Sequence, residues 1–478
     1  MNMGKITTIF TRIKAEADVI FLILIALGVR LFYILKFDFW FDEAFTGILM
    51  RVPLKEFLAI LKVDTNPPVY YLLLKLWTLI FGTGEIPIRM FSVVAGVLTV
   101  YVAYLIGKKF FHKEAGLIAG LIIAFSPFTV QYSIEARSYS LFGLVCVLSL
   151  LLFLEKKYLY FAFVAALIPF IHYSGMVYLA LLAVAFVVTE LKAKNFKVIL
   201  PVTLLFAFCL LFTYNDSKSK ANAVTSDWIK KPTIMNIKKS TYAHLFGVTS
   251  KKPGSDETIS IKGKVDKKYF ETFIISLYAA LLVLAVVLKK LSKKEVLILL
   301  QLALLTLVPM LIAVGLPKWT EYNIYVERYL YPSSIFFLIS LGILLRKLMQ
   351  IEIVFIVLFF YLTTIFTRLD NPKYYSGMRD IVANHAKTVN YITFTSPMDY
   401  VIGRYYFGEE YNKLRYFDPK DQTQKYLWWP FMREGEHMAP KKDSLLVVPD
   451  ENRLDDPTKY SKRRVHKDYI IYSANEFN

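Results

Sequence analysis

The sequence predicts an all-α polytopic membrane protein with a small α/β domain at its C-terminal end. Of the 478 residues, 56% are hydrophobic, and the mean hydropathy is +0.45. Apolar runs of about 17–20 residues, the length that crosses a bilayer as a helix, recur along the chain. They stop before residue 368, and the pattern beyond that point is typical of a mixed domain.

The apolar runs predict eleven spanning helices. They cover residues 19–36, 90–107, 115–131, 139–154, 158–171, 174–190, 197–213, 271–288, 296–315, 329–345 and 351–367. The fifth and sixth runs are short and are separated by the break at 172–175. This break fits either two tilted helices or one re-entrant pair.

The cations are unevenly distributed around these runs. The net charge is +19, and lysines cluster in alternate loops, at 108–113, 156–157, 192–197 and 289–294. Positive residues favour the cytoplasmic side. We therefore expect a plasma-membrane protein with a cytoplasmic N-terminus and an extracytoplasmic C-terminus, and the charge requires no nucleic-acid partner. The lysine-rich composition favours a bacterial origin.

The predicted membrane domain covers residues 1–367 and has two long outer loops, at 37–89 and 214–270. Within the first loop, Val69–Phe81 is apolar but short, and it predicts a helix lying in the membrane interface. The second loop is polar and rich in lysine, which predicts a partly ordered segment. The two cysteines, Cys146 and Cys209, both lie in apolar runs, which argues against a disulfide framework or a cysteine metal site.

Residues 368–478 form the predicted extracytoplasmic domain. A helix-like pattern covers Arg379–Val389, and strand-like patterns cover Tyr391–Thr395 and Ser444–Val448. These patterns predict the α/β character of the domain.

Five polar motifs stand at the predicted outer ends of the helices. Their ionisable and polar members are Asp42 and Glu43; Asp64 and Asn66; Glu135, Arg137 and Tyr139; His172; and Glu327, Arg328 and Tyr329. Because all five motifs lie on one side under the predicted topology, we expect them to converge on one outer cavity. Placing a charged group in or next to the bilayer costs free energy, so charged groups at such positions are candidates for a function.

This set of side chains suits group transfer from a lipid phosphate. A carboxylate can act as general base toward an acceptor hydroxyl or amine. Arginine offers a planar fork for the oxygens of the leaving phosphate. A second acid can orient the acceptor or hold a divalent metal.

The motifs also resemble those of a known family. FWFDEAFTGI, DTNPPVYYLLLKLWTLIFGTGEIPIRMFSVVAGVLTVYVAYLIGKKFF, SPFTVQYSIEARSYSL, IHYSG and ERYLYPS occur in the order seen in glycosyltransferase family 39. That family includes protein O-mannosyltransferases and lipid A aminoarabinose transferases. The resemblance covers residues 20–190 and, more weakly, 320–345.

The resemblance implies a GT-C fold and the inverting transfer of a sugar from a polyprenyl-phosphate donor to a lipid, glycan or protein acceptor. It assigns the catalytic base to Asp42, supported by Glu43. It makes Asp64 a second acid near the acceptor or a metal. Many relatives carry histidine where this chain has Asn66, so the resemblance does not decide whether a metal is used. No organic cofactor is expected.

The remaining roles implied by the resemblance concern the donor and the walls of the site. Arg328, Tyr329 and Arg137 would bind the donor phosphate. Glu135, His172, Tyr139 and Asn66 would support the site.

Structural roles for the same residues also stay open. Asp64 can cap the helix that follows it, Glu135 and Arg137 can form an ion pair between helices, and His172 can satisfy backbone groups at the break. The alternative function is a transporter or flippase of a lipid-linked saccharide, which should carry ionisable groups near the bilayer midplane within related repeats. A scaffold protein is the third hypothesis, but it leaves the five motifs unexplained.

Overall fold

A computed structural model describes residues 3–34, 36–221, 231–233, 236, 237, 241, 243–245, 283, 285, 287, 289–318, 325–350, 352, 354, 356, 358, 359, 361, 362, 377–385, 390–408, 413–417, 444–448, 463–466 and 469–473. The fold confirms the predicted class, because a helical membrane part is followed by a small α/β region.

The helices of the membrane part follow one another closely in the sequence. They are α1 (Met3–Tyr33), α2 (Phe41–Arg51), α3 (Leu54–Val63), α4 (Val69–Phe81), α5 (Glu85–Phe110), α6 (Lys113–Phe125), α7 (Pro127–Ser133), α8 (Tyr139–Leu154), α9 (Tyr158–Ala166), α10 (Ile168–Ile171), α11 (Gly175–Lys192), α12 (Phe196–Ala221), α13 (Lys293–Gly315) and α14 (Tyr331–Leu348). Short 3₁₀ turns cover Leu316–Lys318 and Glu327–Leu330.

Five helices in the described parts of the chain are long and apolar enough to cross a membrane. They are Glu85–Phe110, Gly175–Lys192, Phe196–Lys220, Lys293–Gly315 and Glu327–Leu348. A sixth span results if α6 and α7 are counted together. Helix α1 contains residues 19–33 of the first predicted run, 19–36, whereas most of the runs at 271–288 and 351–367 falls outside the described residues. The total of eleven therefore stays a prediction.

Two predicted spans are not continuous helices. The run at 115–131 bends by 63° between α6 and α7, where Ser126 caps α7 and Pro127 occupies its first turn. Proline has no N–H to continue the hydrogen-bond ladder, so the first helix ends there. The run at 158–171 breaks at Leu167, two residues before Pro169. Apolar composition predicts burial in lipid but does not reveal such breaks.

Helix α12 runs farther outward than predicted. The polar loop was expected from Tyr214, but the helix continues to Ala221. An ion pair one turn apart, with Lys220 Nζ 3.2 Å from Asp216 Oδ2, stabilises this extension. The second outer loop therefore begins with about two more helical turns, and most of the rest of it lies outside the described residues.

The first outer loop contains three helices, of which the sequence predicted only α4. The bounds of α4 are those predicted, and its buried face consists of Tyr70, Tyr71, Leu74 and Thr78. The opposite face is apolar but exposed, with Ile80 78% exposed. A helix that buries one face in protein and presents apolar side chains on the other fits a position in the membrane interface.

The central membrane helices approach one another closely. A Cβ atom added at Gly107 of α5 would lie 2.4 Å from the Cα of Gly116 in α6, and one at Gly342 of α14 would lie 2.6 Å from the Cα of Ala119. Small residues allow such backbone contact between membrane helices. Helices α5, α6 and α14 thereby form a rigid centre beneath the outer motifs.

The C-terminal region contains helices α15 (Met378–His385) and α16 (Pro397–Phe407) and strands β1 (Tyr391–Phe394), β2 (Leu414–Tyr416), β3 (Ser444–Val448), β4 (Arg463–His466) and β5 (Tyr469–Ser473). The five-stranded sheet has the order β2-β1-β3-β5-β4. Strand β1 is parallel to β2 and β3, whereas β5 is antiparallel to β3 and β4. The structure bears out the mixed α/β character.

Candidate active site

Helix α2 follows α1 after a short connection and carries the adjacent acids Asp42 and Glu43 in its first turn. Acidic side chains are favourable there because the N-terminal end of a helix carries a partial positive charge. On a helix, neighbouring side chains point in directions about 100° apart. The two carboxylates therefore enter different environments.

Glu43 is buried in a bidentate ion pair with Arg89 of α5. Arg89 Nε donates to Glu43 Oε1 at 2.8 Å, and Nη2 donates to Oε2 at 2.7 Å. The backbone N–H of Ala136 also donates to Oε1, at 2.8 Å. Only 1% of Glu43 is exposed. This geometry favours a positioning role for Glu43 over contact with a substrate.

Arg89 also binds the backbone between α1 and α2. Its Nη1 donates to the carbonyl oxygens of Ile34 at 2.7 Å and Phe37 at 2.8 Å, and its Nη2 donates to that of Asp38 at 3.2 Å. A bidentate pair with all of these hydrogen bonds satisfied is the form in which buried charges are tolerated. Arg89 and Glu43 thus tie the start of α2 to α1, to α5 and to the turn after α7.

Asp42 is the more exposed of the two acids. Its Oδ2 lies 3.6 Å from Arg137 Nη2, and 21% of its side chain is exposed, against 2% for Glu43. The Thr46 hydroxyl donates to the Asp42 carbonyl oxygen at 2.8 Å, within the helix. Asp42 is therefore the member of the acidic pair that a substrate can reach.

Arg137 joins three of the predicted motifs. Besides Asp42, its Nη1 donates to the Tyr71 hydroxyl at 3.1 Å and its Nη2 to Asn66 Oδ1 at 3.4 Å. Burial lowers the pKa of Arg137, but Tyr71, Asp42 and other nearby groups outweigh it and leave the pKa well above its ordinary value. The guanidinium is therefore a permanent cation in the site.

Asp64 and Asn66 form a turn at the wall of the site. Asp64 Oδ1 accepts hydrogen bonds from the Asn66 backbone N–H at 2.6 Å and side-chain Nδ2 at 2.9 Å. Burial raises the pKa of Asp64, although these bonds and the charges of Arg137 and Lys220 act in the opposite direction. Asp64 is ready to accept a proton more easily than an exposed aspartate.

His172 lies at the break between α10 and α11. Its Nδ1 is 2.8 Å from Ser174 Oγ, which in turn donates to the Tyr329 carbonyl oxygen at 3.0 Å. The ring centroid lies 4.8 Å from that of Tyr329 and 5.8 Å from that of Tyr139. Burial, together with the positive charges of Arg137 and Arg328, lowers the pKa of His172 to about 3. The imidazole is consequently neutral at physiological pH.

Arg328 lies beside Trp40, the residue that precedes α2. Its guanidinium carbon lies 5.7 Å from the Trp40 ring centroid and 5.7 Å from that of Tyr329. Such cation–π contacts help to hold the guanidinium in place beside these rings. Glu135, in the turn with Arg137, accepts a hydrogen bond from Gln131 at 3.4 Å.

The structure brings the ten predicted site residues to one region at the outer ends of the helices. Asp42, Asn66 and Arg137 are in direct contact, and Asp64 adjoins them through Asn66. Tyr139, His172, Arg328 and Tyr329 form the adjoining wall. Glu43 is buried against Arg89, next to these residues.

Sequence reasoning missed four contributors: Arg89, Tyr71, Trp40 and Lys220. Lys220 is only 8% exposed and lies beside Asp216, with its Nζ 6.0 Å from the Tyr173 ring centroid. In the sequence it is one of many lysines in a polar stretch. Arg89 carried a usable signal, since an arginine at the start of a predicted span needs a partner.

Among the residues that the structure describes, no group of three or more His, Cys, Asp and Glu side chains is placed to hold a metal ion. Asp64, the acid predicted near a metal or the acceptor, directs Oδ1 to Asn66.

A comparison with protein families places this geometry in context. Residues 65–214 match the family model described as dolichyl-phosphate-mannose-protein mannosyltransferase. The matched stretch contains Asn66, Tyr71, Arg137 and His172 of the site. Over these residues the chain is similar to this family of membrane-bound sugar transferases. The match agrees with the resemblance to protein O-mannosyltransferases that the motifs showed. None of the curated protein sequences compared with this chain matches it.

Solved structures similar to this chain include proteins from two organisms. ArnT from Cupriavidus metallidurans in the apo state is 12% identical, with a TM-score of 0.48 over 96% of this chain and 98% of ArnT. ArnT bound to undecaprenyl phosphate gives the same values. The oligosaccharyltransferase AglB from Archaeoglobus fulgidus, in complex with an inhibitory peptide and a dolichol-phosphate, is 13% identical, with a TM-score of 0.43 over 85% of this chain and 64% of AglB.

Proposed function

We propose that this chain is a glycosyltransferase that moves a sugar from a polyprenyl-phosphate donor to an extracytoplasmic lipid, glycan or protein, with inversion at the anomeric carbon and with Asp42 as general base. The single observation that carries the proposal is the environment of Asp42. Its carboxylate is partly exposed 3.6 Å from the buried Arg137. The description of the matched family names dolichyl-phosphate-mannose, which supports a polyprenyl phosphate as the carrier of the donor sugar.

The proposed step is a single displacement. The acceptor oxygen or nitrogen attacks the anomeric carbon while Asp42 takes its proton. The bond between the anomeric carbon and the phosphate oxygen breaks, and its electron pair stays on the phosphate. Attack from the face opposite the leaving group inverts the configuration. The products are the glycosylated acceptor, a polyprenyl phosphate with one more negative charge, and a protonated Asp42.

The leaving phosphate needs positive charge that is in place before the reaction. Arg137 and Arg328 supply planar forks, and the Tyr329 hydroxyl adds a donor. Lys220 adds an ammonium group that is already desolvated at the outer end of α12. Fixed cations aimed at developing charge are an effective source of transition-state stabilisation. His172 is neutral, so it positions Tyr329 through Ser174 and adds no charge.

The position of α4 suits delivery of the donor from the bilayer. Tyr71 contacts Arg137 from the buried face of α4, while the apolar outer face, including Leu76, Leu79 and Ile80, is exposed. If this face lies among lipid acyl chains, the polyprenyl tail stays in the membrane while its phosphate meets the cations. The same arrangement puts the reaction at the membrane surface, where a water-borne or lipid acceptor can enter.

The test is a donor assay on the purified protein in lipid. Polyprenyl-phosphate sugars are offered one at a time, each with a panel of hydroxyl- and amine-bearing acceptors, and release of polyprenyl phosphate is measured with and without EDTA. We expect one donor to be consumed and Asp42→Asn to lower the rate at least ~100-fold. The control is Glu56→Gln, an exposed acid of α3.

The assay separates the proposal from its competitor. A folded Asp42→Asn variant that transfers sugar at the rate of the unaltered protein would rule out Asp42 as base. Movement of an intact lipid-linked sugar between leaflets, with no release of polyprenyl phosphate, would favour a flippase instead.

A further inference from the structure

We propose that the C-terminal domain is a positioning element for the reaction, because it clamps helix α2 and thereby fixes the carboxylate of Asp42. The inference rests on the proposed function, since it assigns to the domain the task of holding the proposed base. Three sets of contacts carry the argument: two lie just before α2, and the third lies along the helix itself.

The first contact set holds Asp38, four residues before Asp42. The backbone N–H groups of Gly377 and Arg379 donate to Asp38 Oδ2 at 2.8 and 3.2 Å. The Arg379 guanidinium lies 3.5 Å from Asp38 Oδ1 and donates to Glu85 Oε2 at 2.7 Å. The start of α15 therefore binds both the segment that enters α2 and the first residue of α5.

The second contact set holds Phe39, three residues before Asp42. Its backbone N–H donates to the Tyr406 hydroxyl at 2.7 Å, and the same hydroxyl donates to Glu85 Oε1. The Phe39 ring lies 4.7 Å from the Tyr405 ring. Helix α16 thus satisfies a backbone group next to α2 and packs against the side chain beside it.

The third contact set lies along α2 itself. Arg51 donates to the Tyr405 carbonyl oxygen at 2.7 Å, and its guanidinium carbon lies 4.0 Å from the Tyr405 ring centroid. Gly47 gives the closest approach: a Cβ atom there would lie 2.4 Å from Tyr405 Cε2. Tyr405 is 3% exposed and is enclosed by Phe39, Arg51 and Tyr406, so its ring has little room to move.

These contacts act on the one helix that carries the base. On its membrane side α2 is held by Glu43 on Arg89 and by Lys75, which donates to the carbonyl oxygens of Met50 and Val52 at 2.8 and 2.9 Å. The domain holds the opposite side. A helix fixed from both sides cannot tilt, and a misplacement of ~1 Å in a reacting group can cost ~100-fold in rate.

The experiment inserts a wedge at the closest contact. Gly47→Ala places a methyl group against Tyr405, whereas Gly28→Ala in α1 is the matched control, because a Cβ there meets no atom within 4 Å. We expect Gly47→Ala to lower kcat by ~10-fold or more while the donor KM changes less than ~2-fold. The Gly28→Ala variant should behave as the unaltered protein. In a Tyr405→Ala background, which removes the obstructing ring, the added methyl should have little further effect.

Hydrogen exchange of residues 41–51 supplies a readout independent of transfer. We expect faster exchange in Gly47→Ala than in Gly28→Ala. If Gly47→Ala does not fold, Tyr406→Phe serves instead, since it keeps the ring and removes the hydroxyl between Phe39 and Glu85; the same fall in kcat at constant KM is expected.

The results distinguish failure of the positioning role of the C-terminal domain from failure of the proposed transfer function. A lower melting temperature with unchanged kcat would show that the domain only stabilises the fold, and it would overturn the inference. Absence of donor turnover by the unaltered protein would count against the proposed function. If no donor turns over, hydrogen exchange still tests the contact. Equal exchange of residues 41–51 in Gly47→Ala and Gly28→Ala would show that the C-terminal domain does not hold α2, and faster exchange in Gly47→Ala would show that it holds α2 as a structural contact only.

Discussion

At the scale of single residues, the adjacent acids Asp42 and Glu43 show how environment assigns different tasks to similar groups. Glu43 accepts two hydrogen bonds from Arg89 and one from Ala136. Asp42 lies 3.6 Å from Arg137, and 21% of its side chain is exposed. A buried, fully bonded carboxylate holds structure, and a partly exposed one beside a cation can exchange protons with a substrate.

A pH prediction follows from His172. Its pKa is lowered to about 3 in the folded protein, against about 6.5 in an unfolded chain. Between these values the unfolded chain binds a proton that the folded protein does not, so His172 makes stability fall as the pH decreases from about 6.5 toward 3. His172→Gln keeps a polar group near Ser174 but cannot titrate in this range, so the variant should lose the part of the pH dependence of stability that His172 causes.

The measurement is the melting temperature in detergent at pH 7.5 and pH 5. The difference between the two temperatures should be smaller in His172→Gln than in the unaltered protein. An equal difference in both proteins would mean that His172 is not held neutral by its surroundings.

At the scale of elements, the buried pair of Glu43 and Arg89 links α2 to α5. Glu43→Gln leaves Arg89 buried without its counter-charge, which typically lowers the free energy of unfolding by about 3–5 kcal/mol. We expect a clear fall in melting temperature. Asp18→Asn is the matched control, because Asp18 pairs with Lys113 while 49% of its side chain is exposed, and it should have little effect.

Glu43→Gln also tests the division of labour between the two acids. Where the variant remains folded at low temperature, it should retain more transfer activity than Asp42→Asn. The reverse order of activities would assign the chemical role to Glu43.

The elements also show why breaks in membrane helices accompany the site. The bend between α6 and α7 turns the chain so that Glu135 and Arg137 follow α7 directly, and the break after α10 places the buried His172 in the same region. Irregular backbone at a helix end leaves polar groups that side chains such as Ser126 and Ser174 satisfy. Two interrupted helices thereby supply three residues of the candidate site.

At the scale of the whole molecule, the distribution of lysines predicts an orientation that labelling can test. With Cys146 and Cys209 replaced by alanine, single cysteines are introduced as Glu56→Cys in α3 and Lys192→Cys at the end of α11. Both positions are exposed. A membrane-impermeant maleimide should label position 56 in intact cells and position 192 only after permeabilisation. The opposite pattern would invert the topology and put the site on the cytoplasmic side.

The whole molecule also depends on contacts between its two parts. Asp38, Phe39 and Arg51, on and before α2, bind residues of α15 and α16 that lie more than 300 positions away in the sequence. Helix α2, which carries the proposed base Asp42, thus lies between the membrane helices and the C-terminal region.

The sequence by itself determined the class of the protein, most spans within the described residues, the helix Val69–Phe81 and the strand Ser444–Val448, and it predicted which polar residues lie close together at the candidate site. These features are local, since apolar run length and alternation follow from burial in lipid or in a sheet. The order of the motifs predicted that these residues converge, because side chains at the predicted outer ends of successive helices meet at one surface.

Only the tertiary structure decided which acid is accessible and which is locked, and that Arg89, Tyr71 and Lys220 border the site. It alone showed that α16 packs against Gly47. These properties depend on burial and on hydrogen bonds between residues distant in the sequence, such as Arg89 with Glu43. A sequence pattern records the type of each side chain, but the partner that fixes its charge and direction is chosen by the packing of the helices.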